Sequence, residues 1–337
     1  MNETNKRLVS PAKMLLALFV FLIAGILVSL MIGRYCISLP DIAKALTGRA
    51  VAVQIRQIIF QVRLPRIFAA VLVGGGLSVS GASYQGMFKN PLVSPDLLGS
   101  SSGAAFGAVM GIALSWGLPA VKLSAFVFGL LAVLMTWLIG TRVGKGGNTN
   151  FLLILGGILI GSLFQSLITL LKYTADTENK LPEITFWLMG SLNKASYADV
   201  LAMTAPFALC SLLMVYVSGK INILALGDEE AKTLGVNTWA LKIIIVLTST
   251  VLTSYSISIT GTISWVGLIV PHLARMLLGP NFKYMIPGSL LLGGIYLLIM
   301  DNICRSLMVV EIPLGIATSL VGIPFFIILM SKKEIAW

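Results

Sequence analysis

Charge is scarce in this chain. Of 337 residues, 11% are Asp, Glu, Lys or Arg, one is histidine and three are cysteine. Soluble domains carry about 25% charged residues, so a chain of this size has too little charge to cover a surface facing water. Disorder is excluded too, because its low-hydrophobicity, high-charge signature is reversed. Cys36, Cys210 and Cys304 are widely spaced, with no C-x-x-C and no histidine nearby, which excludes a zinc site and a disulfide framework. The 24 basic residues outnumber the 13 acidic ones, but they stand singly between apolar runs. The gathered basic face that nucleic-acid binding needs is missing.

Catalytic and nucleotide motifs are missing as well. Gly140-Thr-Arg-Val-Gly144-Lys145-Gly146 is one residue short of a phosphate-binding loop and lacks its hydroxyl, so the chain is not itself a P-loop ATPase. There is no H-E-x-x-H and no G-x-S-x-G, and His272 has no evident catalytic partner, which disfavours an intramembrane enzyme. Proton- or ion-coupled carriers bury acids or lysines along their ion route. Here the apolar runs hold almost none beyond His272 and Asp301, which disfavours a self-powered secondary transporter. No resident metal or cofactor is expected.

What remains is apolar. Residues of the AVILMFWYC set make up 57% of the chain, with 33 glycines besides. Charge-free runs cover 14–33, 67–88, 97–121, 123–141, 146–171, 200–219, 243–274, 284–300 and 312–331. A helix crosses the hydrocarbon core in about 20 residues, so each run fits one span except 243–274. That run is long enough for two, with a turn in its Ser/Thr/Gly-rich middle, Thr253 to Ser264. Lys6, Arg7 and Lys13 precede the first span and Lys332 and Lys333 follow the last. The positive-inside tendency puts both ends in the cytoplasm, and an even count follows. The expectation is an all-α polytopic membrane protein of about ten spans, one permease-like domain over 1–337. An external segment covers 34–66 and a cytoplasmic loop about 217–242. The first run is too long for the h-region of a cleaved signal peptide.

The loops carry the local signals. Gly103, Gly107, Gly111 and the pair Gly157, Gly161 have GxxxG spacing, which lets helix backbones approach closely in lipid; packing within the chain is the simpler use, a dimer seam the other. Ser94-Pro95-Asp96 reads as a helix start, and Asn90-Pro91 as a turn before it. In the 217–242 loop, Gly227 and Gly235 bracket Asp228 to Leu234, with Glu229 and Glu230 in the first turn. This is a self-contained short helix, unstable alone in water. It is either a solvated connector or an element on which a partner packs. Arg63-Leu-Pro-Arg66 stands at the mouth of the second span, and Arg305 lies one helical turn after Asp301. Interfacial arginines anchor helix ends, and Asp301 with Arg305 reads as an (i, i+4) pair.

Taken in order, these motifs resemble those of the FecCD family of ABC-importer permeases. They are Arg63-Leu-Pro-Arg66; Gly81 and Gln85 with Asn90-Pro-Leu92, Pro95 and Leu98-Gly99; Leu224-Ala-Leu-Gly-Asp-Glu-Glu-Ala231 with Leu234-Gly235; Gly261 to Arg275; and Glu311-Ile-Pro-Leu-Gly315. The resemblance implies the type II importer architecture, a homodimer in the bacterial cytoplasmic membrane, and a pathway lined by the fifth and tenth spans, about 150–171 and 313–331. It implies ATP-binding subunits, which use ATP and Mg, engaging Leu226, Gly227, Asp228, Glu229, Glu230, Ala231, Leu234 and Gly235. It implies an extracytoplasmic binding protein whose acids meet Arg63, Arg66 and Arg305. Asn90, Pro91, Pro271, His272 and Arg275 match the family pattern without an assigned role. Trp265 stands where the family usually has phenylalanine, a change expected to alter packing only. Ferric siderophore complexes are the expected cargo, with haem, cobalamin and molybdate as alternatives in the same family. The pathway helices are expected to be apolar, with energy and selectivity supplied by other subunits.

Overall fold

The computed structural model describes residues 10–143 and 149–331. Lys6, Arg7, Gly144, Lys145, Gly146, Lys332 and Lys333 lie outside them. The described chain is helical, with elements α1 (Pro11–Met31), α2 (Leu39–Leu46), α3 (Val53–Gln57), α4 (Leu64–Phe88), α5 (Ser100–Ala113), α6 (Leu118–Val143) and α7 (Thr149–Thr174). After these come α8 (Lys180–Met189), α9 (Tyr197–Leu224), α10 (Asp228–Thr233), α11 (Thr238–Thr260), α12 (Val266–Leu278), α13 (Phe282–Ser306) and α14 (Leu314–Ser331). Seven helices are long and apolar enough to cross a membrane, and Ser100–Ala113, Val266–Leu278 and Leu314–Leu329 are shorter apolar helices. Together these ten helices account for the nine runs seen in the sequence, with 243–274 supplying two.

Lipid tails are as apolar as leucine, so helices in a bilayer gain little by hiding leucine from them; close packing and small residues do the work instead. The central helix α4 shows this. It is buried on nearly every residue from Val73 to Phe88, and eleven of those sixteen are Gly, Ser, Ala or Val. A Cβ on Gly74 would fall on the carbonyl oxygen of Gly293 in α13, and one on Gly293 would fall on that of Gly74. A Cβ on Gly81 would fall on the Gly267 carbonyl of α12. The GxxxG runs are used in the same way within the chain. Gly103 and Gly107 lie against the backbone of Phe128 and Ser124 in α6, and Gly157 against Leu97.

The turn dividing 243–274 lies at 261–265, at the end of the Ser/Thr/Gly-rich stretch expected to hold it, and α11 runs unbroken to Thr260. Several of its hydroxyls bond back to their own helix: Ser256 donates to Leu252 O at 2.7 Å and Thr260 to Ser256 O at 2.9 Å. Pro95–Leu98 forms a 3-10 turn closed by Gly99 at φ +83°, so the helix starts at Ser100, and Ser94 makes no capping bond. The segment 34–66 is not all loop. From Val53 it is helical and runs through a π-helical turn, Ile58–Arg63, into α4.

The glycine contacts give a paired prediction. Gly81→Ala places its methyl on backbone that cannot yield, and should destabilise the detergent-solubilised protein by about 3 kcal/mol. In Gly161→Ala the Cβ meets only Ser102 Oγ at 3.6 Å. That variant should be neutral or gain up to about 1 kcal/mol of helix propensity. Thermal unfolding of the two variants beside the parent checks the contrast.

Candidate functional site

The first candidate region is the corner around α10. Helix α9 ends at the fully buried Leu224, and the chain turns at Gly227 into six helical residues, about 9 Å at 1.5 Å per residue. Gly227 holds the cap position and Asp228 is the first helical residue. At the far end Gly235 has φ +78°. Val236 N donates to Ala231 O and Gly235 N to Lys232 O, both at 2.9 Å, the two bonds of a Schellman closure. Ala231 and Val236 are buried in the same apolar cluster as Leu224 and Leu241. The inner face of α10 therefore packs on the body of the protein, and the short helix is not a free connector. Its other face is bare: Leu226 is 66% and Leu234 60% exposed. Glu229 accepts a hydrogen bond from Lys232 at 2.8 Å and raises the pKa of that ammonium above its ordinary value. Asp228 pairs with the buried Lys242 of α11, which also donates to Asn150 Oδ1 of α7 at 2.9 Å.

The second region lies at the opposite end. Gly86, near the end of α4, touches Ile221 of α9 and Phe282 at the start of α13. The beginning of α4 is thus far from α10 and beside the end of α13. Here the structure gathers Arg63, Arg66 and Arg305, but it encloses them. Arg63 is 3% and Arg66 6% exposed. Arg63 donates to the carbonyls of Leu30 and Tyr35. Arg66 Nε donates to both oxygens of the fully buried Asp301 at 2.8 and 3.0 Å, and its Nη1 reaches Glu311 Oε1 at 3.1 Å. Arg305 donates to Ser29 O at 2.6 Å and stands 3.9 Å from Asp301. In this conformation the three guanidinium groups bind helix ends to one another and present no free fork to a partner. The accessible cations at this end are Arg34, Lys44, Arg49, Arg56 and Lys194.

The third region was missed in the sequence. Ser162, Gln165, Ser166 and Thr169 follow the i, i+3, i+4, i+7 pattern of one helix face, and all four are exposed on α7. With Ser94, Asp96, Gly99, Ser102, Gly157 and Gly161 they line a groove of about 620 Å³. Ser166 and Thr169 return their hydroxyl hydrogens to the carbonyls of Ser162 and Gln165. An amide such as Gln165 facing hydrocarbon would cost several kcal/mol, of order 4–8 in a solvent that cannot hydrogen-bond. This face therefore requires water or protein against it. The spacing was readable in the sequence, and α7 is apolar on only part of its exposed surface.

The remaining motif residues are structural in place. Asn90 Oδ1 accepts from Leu92 N at 2.9 Å, closing the turn that includes Pro91. Pro271 and His272 are buried inside α12, and Arg275 lies 6.0 Å from the Phe282 ring centroid. Trp265, at φ +73°, rests on α14 beside Gly322 and Phe326. Among the described residues no group of three or more His, Cys, Asp or Glu could hold a metal ion.

The model of the FecCD transport family matches residues 21–332. This chain belongs to that family. It is 41% identical over 329 residues to the molybdate import system permease protein MolB of Haemophilus influenzae, covering 96% of this chain and 97% of the relative. It is 36% identical over 277 residues to a Helicobacter pylori protein designated an iron chelatin transport system permease, covering 82% and 83%. A solved structure described as an inward-facing, metal-chelate type ABC transporter superposes with a TM-score of 0.86 at 40% identity, over 95% of this chain and 99% of that one. The chain is thus a multi-pass permease subunit of an ABC importer, with the type II architecture, and hydrolysis of ATP is not its own chemistry.

The arginine cluster yields a test of its anchoring role. Arg66→Met leaves Asp301 charged and buried, and should cost about 3–5 kcal/mol of stability. Adding Asp301→Asn should return at least half of that in the same thermal assay. A single variant as stable as the parent would show that the cluster does not hold the helix ends together.

Proposed function

We propose that two copies of this chain form the membrane core of an ATP-driven importer, with the polar face of α7 lining the route between them. The observation that carries this reading is the hydroxyl and amide stripe on a helix of membrane-spanning length, which a bilayer cannot satisfy. A second copy completes the groove and water fills it; α14 is the second lining helix. The α10 corner, with its bare Leu226 and Leu234, receives a cytoplasmic ATP-binding subunit that carries ATP and Mg. That places both termini on the same cytoplasmic side. Residues Leu226 to Ala231 with Leu234 and Gly235 form the contact. The end bearing Arg63 faces outward and receives a substrate-binding protein. Because Arg63, Arg66 and Arg305 are enclosed, we assign first contact with acidic groups to Arg34, Lys44, Arg49 and Arg56, and to the three arginines the rigidity of that rim.

For the cargo, we favour a tetrahedral oxyanion of the molybdate class. The supporting observations are the 41% identity to MolB over nearly the whole of both chains and a groove holding Ser102, Ser162 and Gln165 as neutral donors. The iron chelatin permease relative supports the second reading, a ferric siderophore complex.

The test is reconstitution in liposomes with the ATP-binding subunit and the binding protein, measuring uptake of labelled molybdate beside a labelled ferric chelate. Uptake should require ATP and Mg on the α10 side and be indifferent to a proton uncoupler. Uptake that continues without ATP and follows a proton gradient would overturn the importer reading; preference for the ferric chelate would overturn the oxyanion. Gln165→Leu should lower uptake about fivefold, the loss of one hydrogen bond of about 1 kcal/mol, while the ATP-binding subunit still co-purifies.

A further inference from the structure

We infer that Lys242 is the positioning residue that carries movement of α10 to α7, joining the ATP-driven corner to the lining of the route. This rests on the importer reading, and deepens it by naming the link between its two ends. The observation is a charged side chain, 5% exposed, near the start of a helix whose other buried residues are all uncharged. Its ammonium has two partners on two different elements. One is the carboxylate of Asp228, the first residue of α10, and the other is Asn150 Oδ1, the second residue of α7.

A buried ammonium is expensive unless paired, so it follows the carboxylate that neutralises it. The bond to Asp228 is charge-assisted and about twice as strong as a neutral one. The bond to Asn150 is ion–dipole and uses a second of the three ammonium hydrogens. The helix α11 that bears Lys242 is buried along most of its length and is a fixed support. The four-carbon stem of lysine swings on that support while the backbone stays in place. A displacement of α10 is then passed through Asp228 and the ammonium to Asn150, and from there along α7 to Ser162, Gln165, Ser166 and Thr169. Ala231 and Val236 pack the inner face of α10 on the apolar core, so the Asp228 end is the part of the short helix that reaches Lys242. Nothing of this kind joins α10 to α14, among the described residues.

Asn150→Ala gives the cleanest test, because it cuts the α7 half of the link and leaves the Lys242–Asp228 pair and the α10 surface intact. In the reconstituted complex of permease, ATP-binding subunit and binding protein, it should assemble normally and keep its ATPase rate within about twofold of the parent. Solute moved per ATP hydrolysed should fall about fivefold, as expected for losing one hydrogen bond of about 1 kcal/mol. Lys242→Met should show a larger fall in the same ratio. Lys242→Arg, which keeps the charge, should recover part of it. If Asn150→Ala transports the parental amount per ATP, or loses uptake and hydrolysis in proportion, the link is not Lys242. An unmodified complex that shows no ATP-dependent uptake would instead overturn the importer reading and leave the position of Lys242 a matter of folding alone.

Discussion

The fold depends on backbone meeting backbone. Where α4 crosses α13 at Gly74 and Gly293, and α12 at Gly81 and Gly267, there is no room for a Cβ on either partner. In water such contacts would be incidental to leucine burial, but in lipid they supply much of the adhesion between helices. The consequence is a central helix enclosed by α9, α11, α12 and α13, with its large side chains, Tyr84 and Met87, at 1% and 0% exposure. A body joined this way has few soft places. Movement has to come from the elements that are not packed into it.

Those elements are identifiable by what covers them. Helix α4 is buried nearly all round, whereas α7 and α14 expose long faces: Leu159, Leu163 and Leu170 on one, Leu320, Ile327 and Ile328 on the other. Helix α14 is held at its beginning, where Leu314 N donates to Gly190 O at 2.9 Å and Gly315 sits against Met189 and Thr262. Further along it rests on Trp265. The buried ion pairs stand where separate elements meet. Asp301 and Arg66 join α13 to α4, with Glu311 on the link into α14, while Lys242 joins α11 to α10 and α7. Each is paired, as the cost of an isolated charge away from water requires.

Much of the architecture was legible in the sequence because hydropathy and loop charge act over whole segments. Nine apolar runs, one of double length, became ten apolar helices, and the Gly227–Gly235 bracket became a capped short helix, because both signals are local. Burial is not local. Arg63, Arg66 and Arg305 read on their own as anchors of helix ends, and only the family resemblance implied docking; the carboxylate that takes Arg66 lies 235 residues away in sequence. Only the crossing of α4 with α13 brings it near. The turn in 243–274 falls at the end of the stretch from Thr253 to Ser264 that was expected to hold it, because Ser and Thr inside a membrane helix can bond back to the preceding turn and let it continue to Gly261. The stripe on α7 was present in the spacing of Ser162, Gln165, Ser166 and Thr169. It was hidden by averaging, since four polar residues scarcely lower the mean hydropathy of a helix that also holds Leu159, Leu163, Leu167 and Leu170.

That averaging marks the physical difference between a span that only anchors and one that conducts. An anchoring helix such as α1 is apolar on every side, with no charged residue between Lys13 and Arg34. A conducting helix must satisfy lipid on one side and a hydrated solute on the other, so its polarity is confined to a stripe. The stripe on α7 is built from groups without formal charge, with Asp96 at its edge. Neutral hydroxyls and an amide hold a polar solute weakly enough for release, whereas a ring of arginines would trap an anion. On the importer reading proposed above, weak holding leaves selection to another component and directionality to whatever moves α7; at Asn150 the helix that carries the stripe meets the ammonium paired to α10.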